Sequence, residues 1–272
     1  PSYPEAVFTS SIRQSIQDVE NNPSIENIQQ LLETPDNDFK YLAGYANDVK
    51  SQLHGSNITF VVNRNINYTN ICSFKCNFCA FSKGRGHDDL RGKPYNISFE
   101  EIIRRTNEAT ERGATEVCLQ GGIHPKYSGE TYLDIVRAIR SASSSIHIHA
   151  FSPLEIDHGR KTLNISAKQF LVELKKAGLN SLPGTAAEIL HDEIRAIICP
   201  DKLSSKQWIK IIETAHSVGL PTTSTIMFGH VERSSHVAHH LLKLLNLQQK
   251  TNGITEFVPL PFVADEAPIF RR

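Results

Sequence analysis

Ile12, Ile16 and Val19 fall on one helical face, and Ile25, Ile28, Leu31 and Leu32 repeat the spacing after Asn22-Pro23. Phe39 to Leu53 forms a third such segment, closed by Gly55. Residues 1–55 therefore read as a polar helical extension without a catalytic motif. From Ile58 the period changes. Strand-like runs at Ile58–Val62, Arg64–Thr69, Thr115–Gln120, Ile146–Phe151, Asn180–Pro183, Thr222–Phe228 and Thr255–Leu260 alternate with helices. Capping boxes at Ser98-x-x-Glu101, Ser166-x-x-Gln169 and Ser204-x-x-Gln207 open three of those helices, and Gly113, Gly178 and Gly219 close them. A further helix runs from Ser235 to Lys250, with Gly253 as its stop.

Strands alternating with helices predict parallel β/α units with right-handed crossovers, and an α/β fold closed as a TIM-type barrel fits better than an open sheet. Eight units take about 250 residues. With residues 1–55 set aside, residues 56–272 hold about six. The expectation is an incomplete β/α barrel whose C-terminal units are missing, or a natural six-unit barrel, with the helical extension against its outside or bottom. A chain of 272 residues, 39% hydrophobic, can bury one sizeable core. Zero formal net charge without a basic run argues against nucleic-acid and membrane-surface partners. No apolar run is long enough to span a bilayer. Five cysteines, an odd number with three clustered, suit a reducing intracellular compartment such as the cytoplasm rather than a disulfide framework. The chain begins at Pro1 without a Met, so organelle targeting by an upstream segment stays open.

Those clustered cysteines, Cys72, Cys76 and Cys79, are spaced C-x3-C-x2-C between a strand-like run and a glycine-rich charged loop. Thiolates suit iron–sulfur clusters, zinc or copper(I). Three ligands leave one metal corner open for chemistry, whereas a closed structural site wants four. The polar Ser73, Lys75 and Asn77 speak against a plain core segment. Cys118 and Cys199, far away in sequence, read as packing residues.

Other candidates sit where strands end. Gln120-Gly121-Gly122 lets backbone approach a ligand closely, or is simply a tight turn. In Ile146–Phe151, period-two alternation places His147, His149 and Phe151 on one face, directing His149 into a substrate cavity with Ser152 and Glu155 at its rim; plain loop residues are the alternative for the last two. His-x-His also binds zinc, but no acidic or third His partner stands nearby, and a satisfied structural histidine pair is the other alternative. Ser181 to Glu188 leads into a helix whose N-terminus would take an anion such as a carboxylate, or Glu188 merely favours the first turn. Met227 and Gly229 end the next strand; Met227 is otherwise core filler. His236, His239 and His240 read as a solvated cluster. Tyr68 and Asn70 are either supporting groups for the cysteines or strand residues.

The triplet, with Phe78 just before its last cysteine, resembles the motif of the radical S-adenosylmethionine (SAM) enzymes. The resemblance implies a [4Fe–4S] cluster on Cys72, Cys76 and Cys79, its fourth iron chelated by SAM, with Phe78 near the adenine. It implies that carbonyls of Gly121 and Gly122, beside Gln120, take the SAM amino group, and that Met227 and Gly229 pack against adenine and ribose, with Ser152 a further cofactor contact. The acidic residue usual after the glycine pair is Ile123 here, so that detail does not carry over.

Within that family, residues 58–268 look like the tyrosine-using half of FO synthase. The resemblance rests on Asn63-Arg-Asn-Ile-Asn-Tyr-Thr-Asn70, Phe78-Cys-Ala-Phe-Ser-Lys83, Leu90-Arg-Gly-Lys-Pro-Tyr95, Gly113 to Gly122, His149-Ala-Phe-Ser-Pro-Leu-Glu155, Ser181 to Glu188 and Ile226-Met-Phe-Gly-His230. Sister enzymes of the futalosine route to menaquinone tend to carry a glycine run where Thr185-Ala186-Ala187 stands. The implied reaction is reductive cleavage of SAM to a 5′-deoxyadenosyl radical, hydrogen abstraction from L-tyrosine and scission of its Cα–Cβ bond. The 4-hydroxybenzyl group then joins 5-amino-6-(D-ribitylamino)uracil on the way to the deazaflavin FO. His149, Glu155 and Glu188 are the candidates for handling polar groups of the substrates. An electron donor and a cyclising radical SAM partner, separate or fused, are implied as well. The alternatives are a futalosine-pathway synthase and, in another class, a zinc or electron-transfer module.

Overall fold

The protein, seen in a computed structural model, is described over residues 10–82, 93–265 and 267–270. Two compact units emerge: the chain up to Phe60 with Glu232–Lys243, and Val61–Val231 with Leu244 onward. In the first lie α1 (Ser10–Asn21), α2 (Ile25–Leu32) and α3 (Asp36–His54), three helices where the periodicity predicts them. Ser24 caps α2 by accepting from Asn27 N at 3.2 Å, and Gly55 ends α3 at φ 65°, where a side chain would be strained. Ile12, Ile16 and Ile28 are buried.

The second unit holds every strand: β1 (Asn63–Asn67), β2 (Glu116–Gln120), β3 (His147–Ala150), β4 (Thr222–Phe228) and β5 (Ile254–Pro261). β1, β2 and β3 pair in that order, all parallel, and β4 pairs parallel with β5. The expected strand Asn180–Pro183 shrinks to single bridges, His149 with Ser181 and Leu182 with Thr222, which join the two sheets. Pro183 has no N–H to extend the ladder, and Gly184 presses so closely on Thr223 that a Cβ would lie 2.2 Å from its carbonyl oxygen. Six strand positions thus follow one another in chain order, as the spacing predicts for an open β/α barrel.

Ile58–Val62 is not a strand. Ile58 and Phe60 are each 85% exposed, and at its end Val62 O accepts from Thr115 N at 2.8 Å and from Glu116 N at 3.3 Å. Between the strands lie α4 (Phe99–Glu111), α5 (Gly129–Ala142), α6 (Pro153–Thr162), α7 (Ala167–Ala177), α8 (Asp192–Ile198) and α9 (Ser205–Ser217), with α10 (Ser234–Thr251) before β5. Ser166 and Ser204 form the full capping boxes expected of them. Ser98 forms half of one: it accepts from Glu101 N, but the Glu101 carboxylate turns to Arg104 and Arg105.

One sheet face is apolar, with Ile66, Val117, Leu119, Ile148 and Ala150 all fully buried in a core shared with residues of α4–α7 and α9. The other face of β1–β3 carries Asn63, Asn65, Asn67, Glu116, Cys118, Gln120, His147 and His149, side by side in register. That inward face is polar, where a filled barrel would hold Val, Ile and Leu. Cys118 lies on it, only partly buried, rather than in packing; Cys199 is buried. Phe151 leaves the alternation by taking φ 67° and joins the buried rings of Tyr68 and Tyr132. His240 is fully buried rather than solvated, because it shares a helical face with Leu244 and Leu247.

Candidate active site

Cys72 follows β1 through Thr69-Asn70-Ile71 and lies against the loop after β2. Ile123 N donates to its sulfur at 3.3 Å, and Ser73 N donates to Ile123 O at 2.8 Å. The far side of the cysteine loop is tied to the end of α8. Asn77 N and Nδ2 donate to the carbonyls of Ile198 and Ile197 at 2.8 and 2.6 Å, and Lys75 N donates to Asp201 Oδ2 at 2.9 Å. Cys79 N donates to Cys76 O at 3.2 Å, the turn that brings those two residues together. Burial pushes the Cys76 thiol well up, with nearby Lys202 pulling the other way. The charged loop after the triplet falls mostly in 83–92, outside the described residues.

Gly121 and Gly122 are required by closeness, not by φ. A Cβ on Gly121 would enter the Tyr68 ring at 2.4 Å, and one on Gly122 would lie 2.4 Å from Ile71 O and 2.9 Å from Cys72 Cβ. Among the described residues, no main-chain hydrogen bond reaches either glycine's carbonyl. Behind the pair sits Glu155, 1% exposed. It accepts from Tyr68 Oη, from Gly121 N at 3.2 Å, and from Ser152 N and Oγ at 2.7 and 2.6 Å. Ser152 and Glu155 close the capping box of α6, so neither is a rim residue. Burial raises the Glu155 pKa and the hydrogen bonds oppose it; burial, then the Glu155 charge, holds the Tyr68 phenol well above its ordinary value.

Glu188 sits at φ 45° with one oxygen on Lys202 Nζ at 2.7 Å and the other, Oε2, buried without a partner. The Lys202 ammonium lies 4.9 Å from the centroid of Phe78. Burial works to lower the Lys202 pKa, and the Glu188 carboxylate beside it outweighs that and raises it. Met227 N donates to Glu188 O at 2.9 Å, which brings the end of β4 to this group. Gly229 follows at φ 90°, with open space where a Cβ would point. Gln120 ends β2, its amide 3.8 Å from Cys118 Sγ.

His149, 9% exposed, meets Ser181 Oγ through Nδ1 at 2.6 Å, and His147 meets the same hydroxyl through Nε2 at 2.7 Å. Burial lowers the His149 pKa to about 4, so its ring is neutral at pH 7. An acidic partner for the pair does exist. The β2–β3 register sets Glu116 against His147, with Oε2 3.9 Å from Nε2. Burial and then the Glu256 charge raise the Glu116 pKa.

The chemistry thus gathers in two groups: cysteine loop, glycine pair, Phe78, Lys202, Glu188 and Met227 at the strand ends, and His149, His147, Ser181 and Glu116 along the polar face. Lys202 and Glu116 escape a sequence reading, since no local motif marks either. The Ser152-Pro153-x-Glu155 pattern does announce a helix start.

Comparison with known proteins places this arrangement. The profile of the Radical SAM superfamily matches residues 66–244. A 5-amino-6-(D-ribitylamino)uracil–L-tyrosine 4-hydroxyphenyl transferase from Methanothermobacter thermautotrophicus is 45% identical over 241 residues, 89% of this chain and 65% of that protein. An FO synthase from Streptomyces coelicolor is 45% identical over 229 residues, 84% of this chain and 26% of that one. The chain therefore spans just under two thirds of the length of the transferase it matches. The hydrogenase maturase HydG of Carboxydothermus hydrogenoformans shares the fold, with a TM-score of 0.72 at 18% identity over 95% of this chain and 58% of that chain. Among the described residues, no helix is long and apolar enough to cross a membrane.

Proposed function

This chain belongs to the radical SAM superfamily, and from that premise we propose that it transfers the 4-hydroxybenzyl group of L-tyrosine to 5-amino-6-(D-ribitylamino)uracil in deazaflavin FO biosynthesis. The observation that carries the proposal is the 45% identity, across 89% of the chain, to a transferase named for those two compounds. The site geometry is consistent with it. Cys72, Cys76 and Cys79 are soft donors that would hold a [4Fe–4S] cluster with one vertex open. The fit is supported by the carbonyls of Gly121 and Gly122 beside Cys72, suited to an ammonium, and by the orphaned Glu188 Oε2.

When bound, the cluster and SAM supply one-electron cleavage of a sulfonium and abstraction of a hydrogen atom. The chain's own residues bind and orient. Phe78, Gln120, Met227 and Gly229 would line the nucleoside end of SAM. Lys202, buried beside Phe78 and paired with Glu188, would hold the Glu188 carboxylate in place at this end of the site. Ser152 and Glu155 act by position: their hydrogen bonds lock the loop that carries Gly121. His149 and Glu188 remain the groups proposed to meet the substrates. Residues 1–55 are proposed as an extension separate from the barrel core of residues 56–272. A cyclising radical SAM partner, as a separate enzyme or a fused half, and an electron donor complete the proposed reaction sequence.

Anaerobic reconstitution with iron and sulfide, followed by assay with SAM, L-tyrosine and the uracil diamine, tests the reading. Expected are 5′-deoxyadenosine and the tyrosine-derived adduct, both abolished in Cys76→Ala. SAM cleavage that survives Cys76→Ala would overturn it; cleavage without the adduct would redirect it to another radical SAM reaction.

A further inference from the structure

The inward face of β2 and β3 carries a second constellation, distinct from the cysteine loop, of which only His149 is also assigned to the substrates above. One donor atom each from Glu116, His147 and His149 lies within 4.8 Å of the other two. The three come from adjacent strands, so the sheet, and not a loop, fixes their separation. Each imidazole meets the same Ser181 hydroxyl, at 2.7 and 2.6 Å. One hydroxyl proton can serve only one ring, so the other must turn an N–H toward Ser181. The two ring nitrogens thus converge on a single point beside a carboxylate, the arrangement of a metal site holding a proton in place of an ion.

We propose that Glu116, His147 and His149 form a binding site for a divalent transition-metal ion, Zn2+ or Fe2+, inside the barrel. Two neutral imidazoles and one carboxylate match the three-ligand set of catalytic zinc sites, which leave a fourth position open. Tetrahedral bonds of about 2.0–2.2 Å need donor atoms about 3.3–3.6 Å apart, so contraction by up to about 1.5 Å through side-chain rotation suffices. The ion would also relieve the crowding of Glu116 by the Glu256 carboxylate. Its fourth position is left to a ligand from outside the three, on a face that also carries Asn63, Asn65 and Cys118. A lone-pair donor of a bound substrate, such as an amine, hydroxyl or carbonyl, would take it. The site does not depend on the radical chemistry, and its test is built to be separate.

The test uses the full chain with Cys72, Cys76 and Cys79 replaced by Ala and Cys118, the neighbour of His149 in the register, replaced by Ser, titrated with Zn2+ by calorimetry and with Co2+ by absorption. Expected is one equivalent bound with Kd of about 1 µM or tighter, and Co2+ d–d bands without thiolate charge transfer. His147→Gln and Glu116→Gln, with unchanged circular dichroism, should each weaken binding about 100-fold. If that variant fails to fold, the same titration on the iron-reconstituted wild type, read as metal bound beyond the cluster and lost in His147→Gln, stands in. Absence of saturable binding, or binding indifferent to both substitutions, would overturn the site.

Discussion

At Gly122 a single methyl group meets main chain and not a yielding side chain: Ile71 O at 2.4 Å and Cys72 Cβ at 2.9 Å. Gly122→Ala must therefore shift the segment that delivers the first cysteine. The expected outcome is a loss of about 1–3 kcal/mol in stability and fewer irons per chain after reconstitution, read by urea melts and iron analysis. Glu155 tests a different role. Glu155→Gln keeps the shape but turns an NH2 toward N–H or O–H donors, leaving at least one buried donor unpaired. The KM for SAM should rise about tenfold or more, with kcat changed less and the circular dichroism unchanged. A pure loss of kcat would instead make Glu155 a group that acts on the reaction itself.

The contrast between these two residues shows what could be read without a structure. The cysteines and the glycine pair are contiguous, and local spacing carries their chemistry. Glu155 was visible as an acidic residue near a strand end, but its partner Tyr68 lies 87 positions away. Lys202 gathers Glu188 and Phe78 by tertiary packing alone.

Among whole elements, the helices with complete sequence signals formed where those signals stood, and the discrepancies have local causes. Glu101 finds two arginines on its own helix more rewarding than the Ser98 N–H. Asn180–Pro183 fails as a strand because of Pro183. The junction of α9, α10 and β4 depends on one histidine. His216, at the end of α9, meets Thr251 Oγ1 at 2.7 Å and Thr222 Oγ1 at 3.0 Å, with Gly253 packed against its ring. Burial lowers its pKa, against a smaller opposing pull from Glu213. The unfolded chain then takes the proton first, so the unfolded state binds more protons as pH falls through the ordinary value of about 6.5. The contribution of His216 is present above that pH and lost below it. His216→Gln, which cannot titrate, is expected to be about 1 kcal/mol less stable at pH 7, with the gap narrowing by pH 5.5. Urea midpoints for the two proteins at both pH values decide it, and a constant gap would show that His216 does not titrate on unfolding.

For the molecule as a whole, the order of strand positions was legible because alternation is a chain-order property, whereas closure is not. Among the described residues β1 pairs only with β2, and β5 only with β4. The eight-residue β5 carries Pro259 and Pro261, which have no N–H to offer a further strand, and its neighbourhood exposes Leu260 at 42% and Val263 at 64%. Pro259 and Pro261 blunt strand pairing there, so association at this edge would run through the apolar patch instead. The formal net charge of zero supplies no general repulsion to prevent it. We expect any association of copies to use this exposed apolar patch. Sedimentation velocity over a range of concentrations should show reversible association in the wild type. Leu260→Lys with Val263→Lys should weaken it about tenfold or more, since each added charge would be desolvated in an apolar contact. Both side chains are exposed, so the thermal midpoint should hold within the small range of surface substitutions, about 0.5 kcal/mol. Association unchanged by the two lysines would move the contact away from this edge.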